Sequence, residues 1–273
     1  MSHDLYFQAG KKLDKKSFAA YFKQRAHYQV GKGQALYQNE DTGVYFIFDE
    51  PEDGVVAFSL NYFRPHVFGL EAAVELEQFG TAFGAAVFDA QGDDAEEKPF
   101  SRERFLQSWN EGNRFGYRAM LKEQSKPVFT WPARRIEEVW EWNYTRPPER
   151  VSENVFVPAI FAVEVEGEAK SVAIWPPECP ILLPAVDAVL VPCEQTGKGS
   201  EESAWVWWEE ASAVVAAYQE KGPGLARYRL AFEAWPEAVA AFLGMRRETA
   251  GKLKGIGMDE LLDRELVEEA SGA

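Results

Sequence analysis

Two cysteines and three histidines are all that the 273 residues hold of the soft metal ligands. Cys179 and Cys193 stand fourteen positions apart among Pro180, Pro184 and Pro192, with no C-x-x-C pair and no nearby His. That spacing excludes the usual zinc motifs, and two reduced, partly buried thiols are expected. His3, His27 and His66 are far apart in sequence, so neither H-E-x-x-H nor H-x-H occurs, and no metal site is read. A phosphate-binding G-x-x-x-x-G-K-[ST] loop and a G-x-S-x-G elbow are both missing, which leaves no cofactor and no catalytic residue to assign. Apolar runs never approach the ~18 residues of a membrane span, and no basic-then-apolar leader opens the chain, so a cytoplasmic protein without membrane contact is expected.

Positive charge is the other shortage. Lys and Arg number 29 against 44 Asp and Glu, a net charge of −15. Acid excess often accompanies disorder. Here 46% hydrophobic content, with 19 Phe, 10 Tyr and 9 Trp, supplies material for a large core. The acids must therefore lie mostly on the surface of a folded chain, where they repel nucleic acid and attract basic proteins. They are unevenly spread: −8 over residues 51–100, +3 over 101–150, −5 over 151–200 and −6 over 201–273.

Periodicity predicts an α+β fold of antiparallel sheets packed against helices. Asp4-Leu5-Tyr6-Phe7-Gln8 matches part of a protease site used to remove expression tags, yet Leu5–Phe7 reads equally as a native first strand. Ser17 is placed to cap a helix to about Tyr28. Strands follow at Ala35–Tyr37, Val44–Phe48 and Val55–Phe63, the last extendable through Val67 and Phe68. Their short linkers predict an antiparallel meander. A helix is expected over Ala72–Phe83 and a strand over Ala85–Phe88. The acidic loop Asp89–Glu97 marks the boundary between halves at 1–98 and 99–273.

The second half opens on a long helix from Ser101 to Glu123. Gly112 and Gly116 sit on its apolar side, and two interior glycines imply close packing against the backbone. A second helix spans Pro132–Tyr144. Strands are expected at Val155–Val165, Ala169–Trp175 and Val186–Val191, with Pro176–Pro184 an irregular loop and Glu194–Ser203 a polar linker. Trp205–Trp208 begins a strand or a helix, Glu209–Tyr218 is helical, Tyr228–Phe232 is a strand, and Met258–Glu269 is helical. Each half reads as helix, three strands, helix, strand, the pattern a duplication would leave.

Three clusters carry chemistry. In Asn61–His66, strand alternation would put Tyr62, Arg64 and His66 on one face with Glu71 beyond, a set able to hold an anion or act as acid and base. Leu253–Gly257 echoes a phosphate-binding hairpin loop, but Asp259, Glu260, Asp263 and Glu265 follow and would repel a phosphate. Trp205, Trp207 and Trp208 beside Glu209 and Glu210 could form an aromatic–acidic recognition patch, although core packing of at least two of the three Trp is favoured.

The runs NEDTGVYF (Asn39–Phe46), LNYFRPHVFGLE (Leu60–Glu71) and DELLDRELVEE (Asp259–Glu269) resemble those of a family of uncharacterised bacterial cytoplasmic proteins. That family is loosely similar to the immunity proteins encoded beside bacterial toxins. The resemblance and the charge together imply a non-enzymatic protein that neutralises a basic partner such as an interbacterial toxin domain. Asp89, Asp93, Asp94, Glu96, Glu97, Glu209 and Glu210 are the candidate contacts. The competing expectation is an enzyme with a pocket of Tyr62, Arg64, His66 and Glu71.

Overall fold

A computed structural model describes residues 1–9, 13–90, 98–123, 128–145, 155–176, 179–193, 202–222, 224–230, 237–245 and 253–272. The fold is α+β. The chain forms two compact units, Met1–Ala133 with Met258–Ala273, and Arg134–Gly257. This partition differs from a division at residue 98. The strand after the acidic loop and the long helix both stay with the first unit, and the C-terminal tail returns to it.

The first unit is built on seven strands: β1 (Ser2–Gln8), β2 (Tyr28–Gly31), β3 (Gln34–Gln38), β4 (Tyr45–Asp49), β5 (Val55–Asn61), β6 (Ala86–Asp89) and β7 (Lys98–Pro99). They lie in the order β2-β3-β4-β5-β1-β6-β7, and every neighbour is antiparallel. Strict alternation buries one face: Leu5 and Phe7 of β1, Ala35 and Tyr37 of β3, Phe46 and Phe48 of β4, Val56, Phe58 and Leu60 of β5. Helix α1 (Lys15–Lys23) brings Phe18 and Phe22 onto this face, α2 (Val67–Phe83) brings Leu76 and Phe79, and α3 (Arg102–Glu123) brings Phe105. Phe79 anchors the aromatic core, with ring centroids 5.2 Å from Phe7, 5.1 Å from Phe48 and 5.6 Å from Phe22. Phe7 meets Phe79 edge to face at 88° and Phe22 stacks on it at 12°, both favoured ring arrangements.

Several local expectations are corrected. Asp14, not Ser17, caps α1: its carboxylate accepts the Ser17 N–H at 2.8 Å while the Ser17 hydroxyl accepts the Asp14 N–H at 3.1 Å. The Ser17 N–H, with the Ser17 hydroxyl also donating at 2.8 Å, holds the Asp14 carboxyl below its usual range. The helix stops at Lys23, and Tyr28 opens β2. β5 ends at Asn61, and Val67 and Phe68 belong to the first turn of α2. The chain turns at Phe63, whose φ of 62° is left-handed. For a bulky residue that costs about 1 kcal/mol or more. Asn113 of α3 holds the turn in place, accepting the Phe63 N–H at 2.7 Å and donating to the Arg64 carbonyl at 2.8 Å.

Gly112 and Gly116 are explained by the same turn. Tyr62 lies flat against α3, and a Cβ on Gly112 would fall 2.2 Å from its hydroxyl oxygen and one on Gly116 2.9 Å from its Cβ. The glycines accept a side chain of this chain, not a ligand. Gly112→Ala is expected to destabilise the first unit by about 1–3 kcal/mol, outweighing the ~1 kcal/mol that alanine adds to helix propensity. A shift of the urea midpoint with unchanged slope is the measurement that checks it.

The tail completes this unit. Met258 packs against Gly43, the strand Leu261–Asp263 pairs parallel with β8 (Phe129–Trp131), and a helix over Arg264–Ser271 follows. The expected Met258–Glu269 helix is therefore a 3-10 turn, a strand and a shorter helix.

In the second unit, α4 (Ala133–Thr145) precedes two sheets. One is β13-β12-β10-β9-β16, from β9 (Phe161–Val165), β10 (Glu168–Ile174), β12 (Ala188–Cys193), β13 (Glu202–Trp207) and β16 (Lys254–Ile256). Its pairings are antiparallel except β10 with β12, which is parallel. The other is β11-β15-β14, from β11 (Ile181–Pro184), β14 (Gln219–Glu220) and β15 (Arg227–Leu230), all antiparallel. β11 lies where an irregular Pro-rich loop was expected, because Ile181, Leu182 and Leu183 are all fully buried between their flanking prolines. Leu253–Gly257, whose echo of a phosphate-binding loop the following acids argue against, contains the strand β16. Asn143 ties α4 to the incoming strand through both backbone groups of Ile160, at 2.7 and 2.9 Å. Trp142 donates to the Pro158 carbonyl at 2.8 Å and Trp140 stacks on Tyr144, so neither indole is exposed. Among the described elements, the strand and helix orders of the two units differ. No helix among the described residues is long and apolar enough to cross a membrane.

Candidate functional site

The three runs that carried the family resemblance meet in the first unit. Glu71, on the buried side of α2, accepts hydrogen bonds from Tyr37 (2.7 Å), Asn39 (2.8 Å) and Thr42 (3.1 Å). One turn on, Glu75 pairs with Arg25 at 2.6 Å and accepts from Tyr28 at 3.0 Å. Arg64 donates twice to the Tyr45 hydroxyl, at 2.8 and 3.2 Å, and Tyr45 donates to Asp259 of the tail at 3.2 Å. His66 gives both its backbone N–H (2.8 Å) and its ring Nδ1 (2.6 Å) to the two carboxylate oxygens of Asp263. Tyr117 of α3 lies between, its hydroxyl 3.2 Å from the Arg64 carbonyl, 3.4 Å from Asp263 and accepting the Asp263 N–H at 3.2 Å. Burial and the Asp263 charge push the Tyr117 hydroxyl well above its ordinary value, so it stays a protonated donor.

A carboxylate beside an imidazole can orient a general base. Here the same carboxylate also caps the start of α2 through the His66 backbone, and the arrangement chiefly fastens tail to helix. The four residues expected to share a pocket do not converge. Arg64 and His66 meet through Tyr117 and Asp263. Glu71 is fully buried beneath β3 and the turn after it. Tyr62 points the other way, its hydroxyl 3.1 Å from Nδ1 of His3, and burial pushes that hydroxyl up to about 12. The physical reason is the left-handed Phe63, which breaks the alternation assumed for a strand.

The expected partner contacts also divide. Asp89 is half-buried, accepts from Ser108 at 2.8 Å and lies 3.6 Å from Nε2 of the buried His3, so it serves the interior. Burial holds the His3 imidazole below its ordinary value, in the neutral form. Asp93, Asp94, Glu96 and Glu97 lie outside the described residues. Glu209 and Glu210 are exposed in the first turn of α5 (Trp208–Val215), where acids complement the helix dipole.

The second unit holds an aromatic–acidic pocket of about 630 Å³, lined by Glu164, Val165, Glu166, Gly167, Trp205, Trp207, Leu253 and Lys254. Its floor is the sheet face on which Val163, Val172 and Ala188 cluster under Phe161, Val165, Trp205 and Leu253. Trp205 and Trp207, two apart on β13, share this face and meet edge to face, centroids 5.1 Å apart at 79°. Trp205 packs partly buried against this cluster and Trp208 against Tyr228, as favoured from the sequence, while Trp207 is 40% exposed. The reason is position, since β13 is an edge strand. Buried Nε1 of Trp205 has no acceptor among the described residues.

The pocket wall is the two-residue hairpin between β9 and β10. Glu166 (φ 53°) and Gly167 (φ 83°) are both left-handed, as a type I′ turn demands. Asn or Asp usually fills the first position; Glu there is strained by about 1 kcal/mol. Lys254 pairs with Glu164 at 2.5 Å, and Lys170 with Glu168 at 2.6 Å. Glu166 is exposed and has no hydrogen bond or ion pair among the described residues, although Lys170 feels its charge. The sequence reading missed Glu164, Glu166 and Lys254. Their signal is the acidic alternation Glu164-x-Glu166-x-Glu168 around Gly167. No group of His, Cys, Asp and Glu among the described residues is placed to hold a metal ion.

No protein-family model, curated protein or solved structure matches this chain.

Proposed function

We propose that this chain is a non-enzymatic, cytoplasmic binding protein that holds a basic protein partner, in the manner of an immunity protein masking an interbacterial toxin. The observation that carries the reading is the pocket of Trp205 and Trp207 rimmed by Glu164 and Glu166. Aromatic side chains at a solvent-open site supply contact area at low entropic cost and are typical binding anchors. The net charge of −15 adds a field that steers a basic protein toward such a surface and speeds encounter.

Affinity purification from the source cell with mass spectrometry tests the proposal. A stoichiometric basic protein is expected. Its association rate should fall about tenfold or more between 50 and 500 mM salt, as screening shortens the reach of the field. Glu209→Lys with Glu210→Lys should slow association several-fold while leaving dissociation nearly unchanged. Recovery of no stoichiometric partner, or of an acidic one whose association ignores salt, overturns the reading.

A further inference from the structure

The geometry points to a specific occupant for the pocket: we infer that it receives one arginine side chain of the basic partner. The inference rests on the binding reading above and names what that site takes. Two features of the pocket converge on a planar cation. The perpendicular indoles of Trp205 and Trp207 form an apolar corner, and an indole face attracts a guanidinium through its quadrupole while matching its flat shape. Glu166 stands at the rim, held out by a turn conformation unusual for its type and engaged by no described hydrogen bond or ion pair. Its carboxylate is free to take a fork of two N–H donors. Lys254 pairs with Glu164 on the same wall, which leaves Glu166 as the rim carboxylate for an incoming cation.

The volume of about 630 Å³ exceeds a single side chain and leaves room for the backbone that carries it. Arginine is favoured over lysine because a compact, strongly hydrated ammonium gains less from a flat aromatic wall. A neutral sugar would stack on the indoles but would draw nothing from the Glu166 charge.

The test uses the full chain and the probe N-acetyl-arginine amide, followed by the indole N–H signals of Trp205 and Trp207 in two-dimensional NMR. Trp205→Phe and Trp207→Phe assign those signals. The arginine probe is expected to shift both, N-acetyl-lysine amide to bind at least threefold more weakly, and Glu166→Gln to weaken the arginine probe about tenfold. Trp207→Ala, at a half-open position with little folding burden, should abolish the response. No shift, a shift that survives both substitutions, or a response to a neutral glucose oligomer in place of arginine overturns the inference. The two proposals fail separately. If a basic partner co-purifies and binds Trp207→Ala as tightly as the parent, the arginine pocket is refuted and the binding reading stands. If the probe binds and no partner exists, the pocket stands as an arginine site and the wider reading falls.

Discussion

Asp263→Ala destabilises the first unit by about 3–5 kcal/mol, the loss expected when one member of a buried, hydrogen-bonded pair is removed. The carboxylate accepts the backbone N–H and the ring of His66 at 2.8 and 2.6 Å and neighbours Tyr117 at 3.4 Å. Alanine supplies no acceptor, and water has poor access because Asp263 is buried. The start of α2 and the tail strand should loosen together. Hydrogen exchange of Leu261, Leu262 and the first turn of α2 should accelerate in concert, alongside a lower urea midpoint. Asp263→Asn, which keeps one acceptor oxygen, should lose about half as much. An unchanged midpoint in Asp263→Ala would show that the tail contributes nothing to the fold.

Glu71→Leu is expected to cost about 3–6 kcal/mol. Leucine fills a similar volume, so the loss is electrostatic: the Tyr37 hydroxyl, the Asn39 amide and the Thr42 hydroxyl each lose the acceptor they share, at roughly 1–2 kcal/mol per orphaned buried donor. Glu71→Gln retains a carbonyl oxygen and should cost markedly less. The two variants together separate a hydrogen-bond role from one of shape, and equal losses would contradict the former. Neither substitution touches the second unit, so binding of the arginine probe to either folded variant should match the parent.

Strict alternation made the first sheet legible. Tyr45–Asp49 and Val55–Asn61 alternate with the period of a half-buried strand, and nothing nearby competes with that signal. Gly112 and Gly116 announced a close approach, and Tyr62 makes it. Val67 and Phe68 misled because they are β-prone and follow a strand by only a short turn. Pro65, which sits just before the helix, was the signal that should have ended it. The tail was read as one helix because Leu261 and Leu262 suit either period; parallel pairing with β8, a distant segment, decides for a strand.

The site was less legible, for reasons of distance. His66 and Asp263 are 197 positions apart, and no local pattern links a histidine at a helix start to an aspartate at a strand end. Trp205 and Trp207 were visible as aromatics beside acids. Whether they face a core or open space depends on β13 being an edge strand, which sheet order alone determines. Glu166 became informative only through its backbone angle, a property that composition does not carry.

The first unit is written in two pieces, with Arg134–Gly257 between them. During synthesis, therefore, the second unit leaves the ribosome whole while the first still waits for Asp259 and Asp263. A nascent chain cut short before Met258 would contain every residue of the arginine pocket and none of the clasp that holds Tyr45, Arg64 and His66. The state of the first unit thus reports whether translation has run to the tail. Proteases that sample loosened segments would detect the missing clasp through that unit alone.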